Sequence, residues 1–129
     1  QSPLLSLLDM ADLPSIQQQI SSKDLFEAFK IQLAKDFAQC NYPVDFIATL
    51  EPDYKKIHIQ IVRVLQSGEK KSDLNLMQLL YRVDIPEVRL KKLLSESGDT
   101  GHLNVIAELI IKRILQKVVI RRYYGGSSG

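Results

Sequence analysis

The stretch VDFIATLEPDYKKIHIQIVRVLQSG, residues 44–68, decides the fold class, because it carries two periodicities at once. Val44, Phe46, Ala48 and Leu50 alternate, as do Ile57, Ile59 and Ile61, and Pro52-Asp53 stands between the two runs as a turn. Read that way, 44–65 is a β-hairpin and the domain is α+β. The competing signals are helical. Pro52 suits a first helical position, and Asp53 suits the positive end of a helix dipole. Tyr54, Ile57, Ile61, Val64 and Leu65 fall on one helical stripe, and Ser67-Gly68 supplies a stop. Strand alternation also breaks at Val62-Arg63-Val64. A helix over 53–66 is the reading taken, with the hairpin as its alternative.

Toward the N-terminus the pattern is plainer. Phe26, Phe29, Leu33, Phe37 and Cys40 recur at steps of three and four, which predicts an amphipathic helix over 23–40. Ser21 and Asp24 have the spacing of a capping box, and Asn41-Tyr42-Pro43 ends the helix. Lys23, Glu27, Lys30, Lys35 and Asp36 lie off the stripe and are expected in solvent. Asp12-Leu13-Pro14-Ser15 opens a short helix with Ile16 and Ile20 one turn apart. Before it, Leu4, Leu5, Leu7 and Leu8 are followed by Asp9 and preceded by no basic residue, a poor secretory signal. Leu4, Leu5 and Leu8 share one side of a short helix and are candidate partner-docking residues, unless they pack back on the domain.

Toward the C-terminus, Ser72 caps a helix over 73–83 that carries Leu76, Met77, Leu80 and Val83. Asp84-Ile85-Pro86-Glu87 opens another over 86–96, with Leu90, Leu93 and Leu94. Gly98-Asp99-Thr100-Gly101 is a turn, and a last helix spans 103–123. Eleven of the sixteen residues from Val105 to Ile120 are apolar, so most of that helix needs cover. It is expected at the centre. Gly125-Gly126-Ser127-Ser128-Gly129 reads as a linker or expression scar. The expectation is one all-α domain, residues 1–124. It is a compact bundle of five or six helices around a central C-terminal helix, with Phe29, Phe37, Ile61, Leu80, Ile106, Ile110 and Ile114 in the core.

Composition narrows function by exclusion. In 129 residues the apolar share is 45% and the charged share 25%, which is a globular balance. A net charge of +2 does not by itself imply nucleic acid or a membrane surface, and no apolar run is long enough to span a bilayer. One cysteine rules out an internal disulfide framework. His58 and His102 have no companions at metal-ligand spacing. Cys40 is expected as a buried, inert thiol near a helix C-terminus. The glycine turn lacks the Gly-Lys-Ser/Thr ending of a phosphate loop. No catalytic residue, cofactor, metal or small-molecule substrate is expected, and the chain reads as a cytoplasmic, non-enzymatic module that binds a protein or itself.

Two features support nucleic-acid binding as the alternative. Leu79-Leu80-Tyr81-Arg82-Val83-Asp84-Ile85-Pro86, followed by Val88, Leu90 and Leu93, resembles a helix-turn-helix over 74–94. In that motif Leu80 stands where a small residue is usual and Asp84 where glycine makes a left-handed turn. The resemblance would put Arg89, Lys91 and Lys92 on the groove-reading helix. The second feature is charge segregation. Residues 1–50 carry three basic and six acidic side chains, and residues 51–129 fourteen and nine. Arg113, Lys117 and Arg121 are four apart on the last helix and Tyr124 extends their ridge, a combination that can hold phosphate and stack on a base. The alternative role of such a ridge is a solvated face at the negative end of the helix dipole.

Overall fold

A computed structural model describes residues 13–69, 73–88, 91, 92, 95 and 102–124. The elements are α1 (Leu13–Ser21), α2 (Lys23–Gln39), a 3-10 segment (Asp45–Thr49), α3 (Tyr54–Glu69), α4 (Asp73–Val83) and α5 (His102–Tyr124). Residues 87, 88, 91, 92 and 95 are helical as well, and no strand occurs among the described residues. The protein is an all-α bundle.

The ambiguous stretch 44–65 is therefore not a hairpin, and local hydrogen bonding explains why. Asp53 caps α3, its Oδ2 accepting from the Lys56 amide at 3.0 Å. Gln17 of α1 supplies a second acceptor, Oε1, to the Tyr54 amide at 2.8 Å. Two of the four orphan donors at the helix start are thereby satisfied. Pro52 lies just before that cap rather than at the first helical position. Burial follows the helical period: Ile57 and Ile61 are fully buried while Ile59, which a strand would put on their face, is 50% exposed. The helix also runs one residue past Gly68.

At the start of α2 the cap is Ser22, not Ser21. Ser22 Oγ accepts from the Leu25 amide, whereas Ser21 ends α1 and its hydroxyl donates to the Gln17 carbonyl at 2.9 Å. The far end of α2 closes with Asn41 in the left-handed region (φ 64°). The Tyr42 amide reaches back to the Phe37 carbonyl at 3.0 Å and that of Asn41 to Ala38 at 3.2 Å. This is a Schellman motif, and its usual hydrophobic contact is present as the Phe37–Tyr42 ring pair, 5.5 Å between centroids. Helix α4 ends the same way. Asp84 has φ 69°, and the Ile85 amide bonds the Leu80 carbonyl at 3.2 Å.

Helix α5 packs against α2, α3 and α4, and α1 packs against α2 and α3. Ile106, Leu109, Ile110, Ile111, Ile114, Leu115 and Val118 are buried, which takes in most of the circumference of α5 and makes it the axis of the bundle. All seven expected core residues are buried. Two surface expectations fail, and one apolar residue of the 73–83 helix is found outside. Asp36 is buried, Lys30 is half-buried with its ammonium 4.8 Å from the Phe26 ring centroid, and Met77 is 61% exposed, Leu79 taking its place in the core. Residues 125–129, Ser72 and the 98–101 turn lie outside the described residues.

Candidate interaction surfaces

The polar centre of the molecule lies where α2, α4 and α5 meet. Asp36 projects from α2 at 1% exposure. Its Oδ1 accepts from Gln32 Nε2 at 3.0 Å and lies 3.3 Å from Arg82 Nε, at the end of α4. Its Oδ2 faces Lys117 Nζ of α5 at 3.9 Å. The Gln32 amide passes the interaction on, because its Oε1 accepts from Arg121 at 3.0 Å. The buried carboxylate is paired in charge with two cations and hydrogen-bonded to one amide, while its Oδ2 and Arg82 Nε make no hydrogen bond.

The basic ridge of α5 is part of this arrangement. Arg113 donates to the Asp84 carboxylate at 2.9 Å and to the Asp84 carbonyl at 3.2 Å, and it also bonds Gln116. Lys117 donates to the Arg82 carbonyl at 3.2 Å. Lys117 therefore sits on a carbonyl of the last turn of α4 and Arg113 on the residue that follows it, both at the negative end of that helix. Arg122 reaches Asp24 in the first turn of α2 at 2.9 Å. Burial pushes the Lys117 ammonium below the ordinary lysine range. The Asp36 and Asp84 carboxylates oppose that shift, and the Arg113 and Arg82 charges add to it.

The corner between α4 and the helical residues after it presents a different surface. Tyr81 is 91% exposed, Val88 82% and Met77 61%. Met77 and Tyr81 are one turn apart on the outer face of α4. Lys91 and Lys92 are exposed beyond them, Lys91 pairing with Glu87 at 3.2 Å.

A groove of about 430 Å³ runs between α3 and the first turns of α5, lined by Tyr54, Lys55, His58, Ile59, Asn104, Val105 and Glu108. His58 Nε2 is 2.9 Å from the Asn104 carbonyl, and the Tyr54 and His58 rings are 5.7 Å apart. A carbonyl only accepts, so Nε2 is the protonated nitrogen. Burial, together with the Glu108 charge, pushes the Tyr54 hydroxyl up to about 12. Burial likewise pushes the Cys40 thiol up, against the pull of Arg82 and with the help of Asp36. A thiol held protonated is a poor nucleophile. His102 is the first residue of α5. Among the described residues no three His, Cys, Asp or Glu side chains converge as metal ligands would, and no helix is long and apolar enough to cross a membrane.

Among the residues singled out from sequence, Arg113, Lys117 and Arg121 come together, but against α2 and α4. Lys92 is exposed on the far side of the Asp84 turn. Tyr124 is the last residue of α5, and its side chain lies outside the described residues, as do Arg89, Leu4, Leu5 and Leu8. Arg113 and Lys117 are thus half-buried rather than a solvated helix face, whereas Arg121 is exposed and still bonded to Gln32. Sequence reasoning missed the Gln32–Asp36–Arg82 set. The signal was there in part, since Asp36 falls three residues after Leu33 and four before Cys40, on the flank of the buried stripe. No protein-family model, no curated protein and no solved structure matches this chain.

Proposed function

We propose that this chain is a non-enzymatic helical interaction module that engages another protein surface through the α4 corner. The observation that carries the reading is that three of the exposed large apolar side chains among the described residues, Met77, Tyr81 and Val88, fall at this one corner, while Ile31 and Ile59 lie apart on α2 and α3. Methionine and aromatic side chains are enriched at the cores of interfaces, where one tyrosine can carry much of the binding energy. The left-handed Asp84 turn, pinned by Arg113, fixes how Val88 follows Tyr81.

The test is a photo-crosslinking amino acid at position 81 in the full chain, with the same group at the exposed Lys35 of α2 as control. The reading expects a discrete adduct at 81 and none at 35, identified by mass spectrometry and lost in Met77→Ser. A monomeric chain at every concentration, with no adduct specific to position 81, overturns it.

Nucleic-acid binding stays as a second reading because one observation favours it. Asp84 adopts the left-handed turn that a helix-turn-helix needs at that position, and it puts exposed Lys91 and Lys92 on the following helix. Arg113, Lys117 and Arg121 would have to leave Asp84, Asp36 and Gln32 to contact phosphate, so the reading rests on the turn. Fluorescence anisotropy with random DNA and RNA oligomers tests it. About two or three phosphate contacts give a log–log salt slope of roughly −2 to −3. Lys92→Glu should weaken binding to every sequence alike.

A further inference from the structure

We infer that the outer face of α3 is a docking surface for an acidic peptide segment, one that sets an apolar side chain between two carboxylates. Lys55, Ile59 and Arg63 recur at steps of four and are all exposed, so they form one ridge with the isoleucine between two cations. The cations stand two helical turns apart, about 12 Å along the axis. Ile59 lines two grooves. One is the 430 Å³ groove against α5, where Tyr54, His58 and Val105 are its neighbours. The other, of about 260 Å³, lies toward the 3-10 segment and holds Phe46 and Leu50. A single exposed isoleucine is ordinary. One set between two grooves with aromatic and aliphatic lining gives a partner's apolar side chains somewhere to lodge. Ile31, the exposed apolar residue of α2, lines neither groove.

Charge decides what the partner is. Of the carboxylates that line the grooves, Glu51 pairs with Lys56 and Glu108 with Lys112. Lys55 and Arg63 have no ion pair among the described residues. The charge left over on this face is therefore positive, at both ends of an apolar centre. A partner's carboxylates meet those two cations without displacing an existing pair, whereas a basic partner would have to compete for Glu51 and Glu108. Phosphates would also meet the cations, but they would leave Ile59 and the groove walls in water. A helical segment that carries acid, apolar and acid residues at steps of four matches the spacing of the ridge, with its apolar residues as anchors.

This surface is separate from the α4 corner, and either can fail without the other. The test selects displayed random peptides, long enough for about four helical turns, on the full chain. The enriched sequences should combine Asp or Glu with large apolar residues, and a synthetic peptide of that sequence should shift the amide resonances of Lys55, Ile59 and Arg63. Ile59→Asp and Arg63→Glu should each weaken it by about tenfold or more, while Ile31→Ser leaves it unchanged. Replacing one peptide carboxylate by lysine should restore binding to the Arg63→Glu chain, which a folding defect could not produce. Failure to enrich acidic peptides, or binding that survives Ile59→Asp, overturns the inference. So do enriched peptides that shift Met77 and Tyr81 instead, random DNA or RNA oligomers that bind the ridge more tightly than the peptide, and a self-associated chain in which Ile59 is covered.

Discussion

Along one flank of α2, Phe29, Leu33 and Phe37 are fully buried among hydrocarbon; along the other, Gln32 and Asp36 are also buried but face Arg82, Lys117 and Arg121. The two flanks hold the same helix by different means. Apolar contact is non-directional and scales with area, so the Phe flank favours compaction without choosing one alignment of α4 or α5 over a slightly shifted one. The Asp36 flank is directional. Its carboxylate has to meet two cations from two different helices, which ties the end of α4 and the middle of α5 to one turn of α2. Desolvating that set is costly, so its contribution to stability is smaller than its contribution to geometry.

Four measurements break or sharpen that contrast. The largest effect belongs to the apolar flank: Phe37→Ala should cost about 3–5 kcal/mol in urea unfolding. The loss should be the same in low and high salt. An effect below about 1 kcal/mol would mean that the site collapses around the missing ring.

Asp36→Ala is expected to cost about 1–3 kcal/mol, because it leaves Arg82 and Lys117 near a buried site without their acceptor. A double-mutant cycle should give Asp36 a larger coupling to Arg82, at 3.3 Å, than to Lys117, at 3.9 Å. Additive effects would show that the cluster is geometry without energy.

The Asp36 cluster and the buried start of α3 also differ in alkali. Tyr54, buried at the start of α3, is pushed up from 10.0 to about 12, so the folded state favours its protonated form. Its contribution is fully present below pH 10 and is lost as pH rises toward about 12. Lys117 is pushed down, so the folded state resists its charge, and that cost is relieved as pH rises toward the ordinary lysine value of 10.5. Tyr54→Phe should flatten the alkaline loss of stability, and Lys117→Gln should remove a gain. Identical pH profiles for the wild type and both variants would contradict the two environments described.

The smallest effect compares the two Schellman ends. Asn41→Gly relieves a side chain in the left-handed region and should stabilise by about 0.5–1 kcal/mol. Asp84→Gly gains the same relief but loses the carboxylate that Arg113 holds at 2.9 Å, so its net gain should be smaller. Equal gains would mean that the Arg113 pair contributes nothing.

Most of the helices are legible in the sequence because their signals are local. The stripe from Phe26 to Cys40, the Pro43 stop, the Asp84 turn and the apolar density of Val105–Ile120 each need only a few neighbouring residues to be read. The 44–65 stretch is harder, since Ile57, Ile59 and Ile61 satisfy strand and helix spacing alike. One of the bonds that resolve it comes from Gln17, thirty-seven residues away. The candidate surfaces were legible only in part. Spacing showed Arg113, Lys117 and Arg121 as a ridge, but nothing local says that the end of α4 lies under it.

The sequence by itself determined most of the helices, their order and the central place of the last one, because hydrophobic period and capping act over a single turn. It left helix and hairpin both open at 44–65. Only the tertiary structure decided what those helices show one another. It turned Asp36 from an expected surface charge into a buried one, and put Arg113 and Lys117 of the basic ridge on the end of α4. It also left Met77 and Tyr81 on the outside and opened a groove beside Tyr54. Each of these outcomes depends on which face meets which, and that is fixed by packing among segments far apart in the chain.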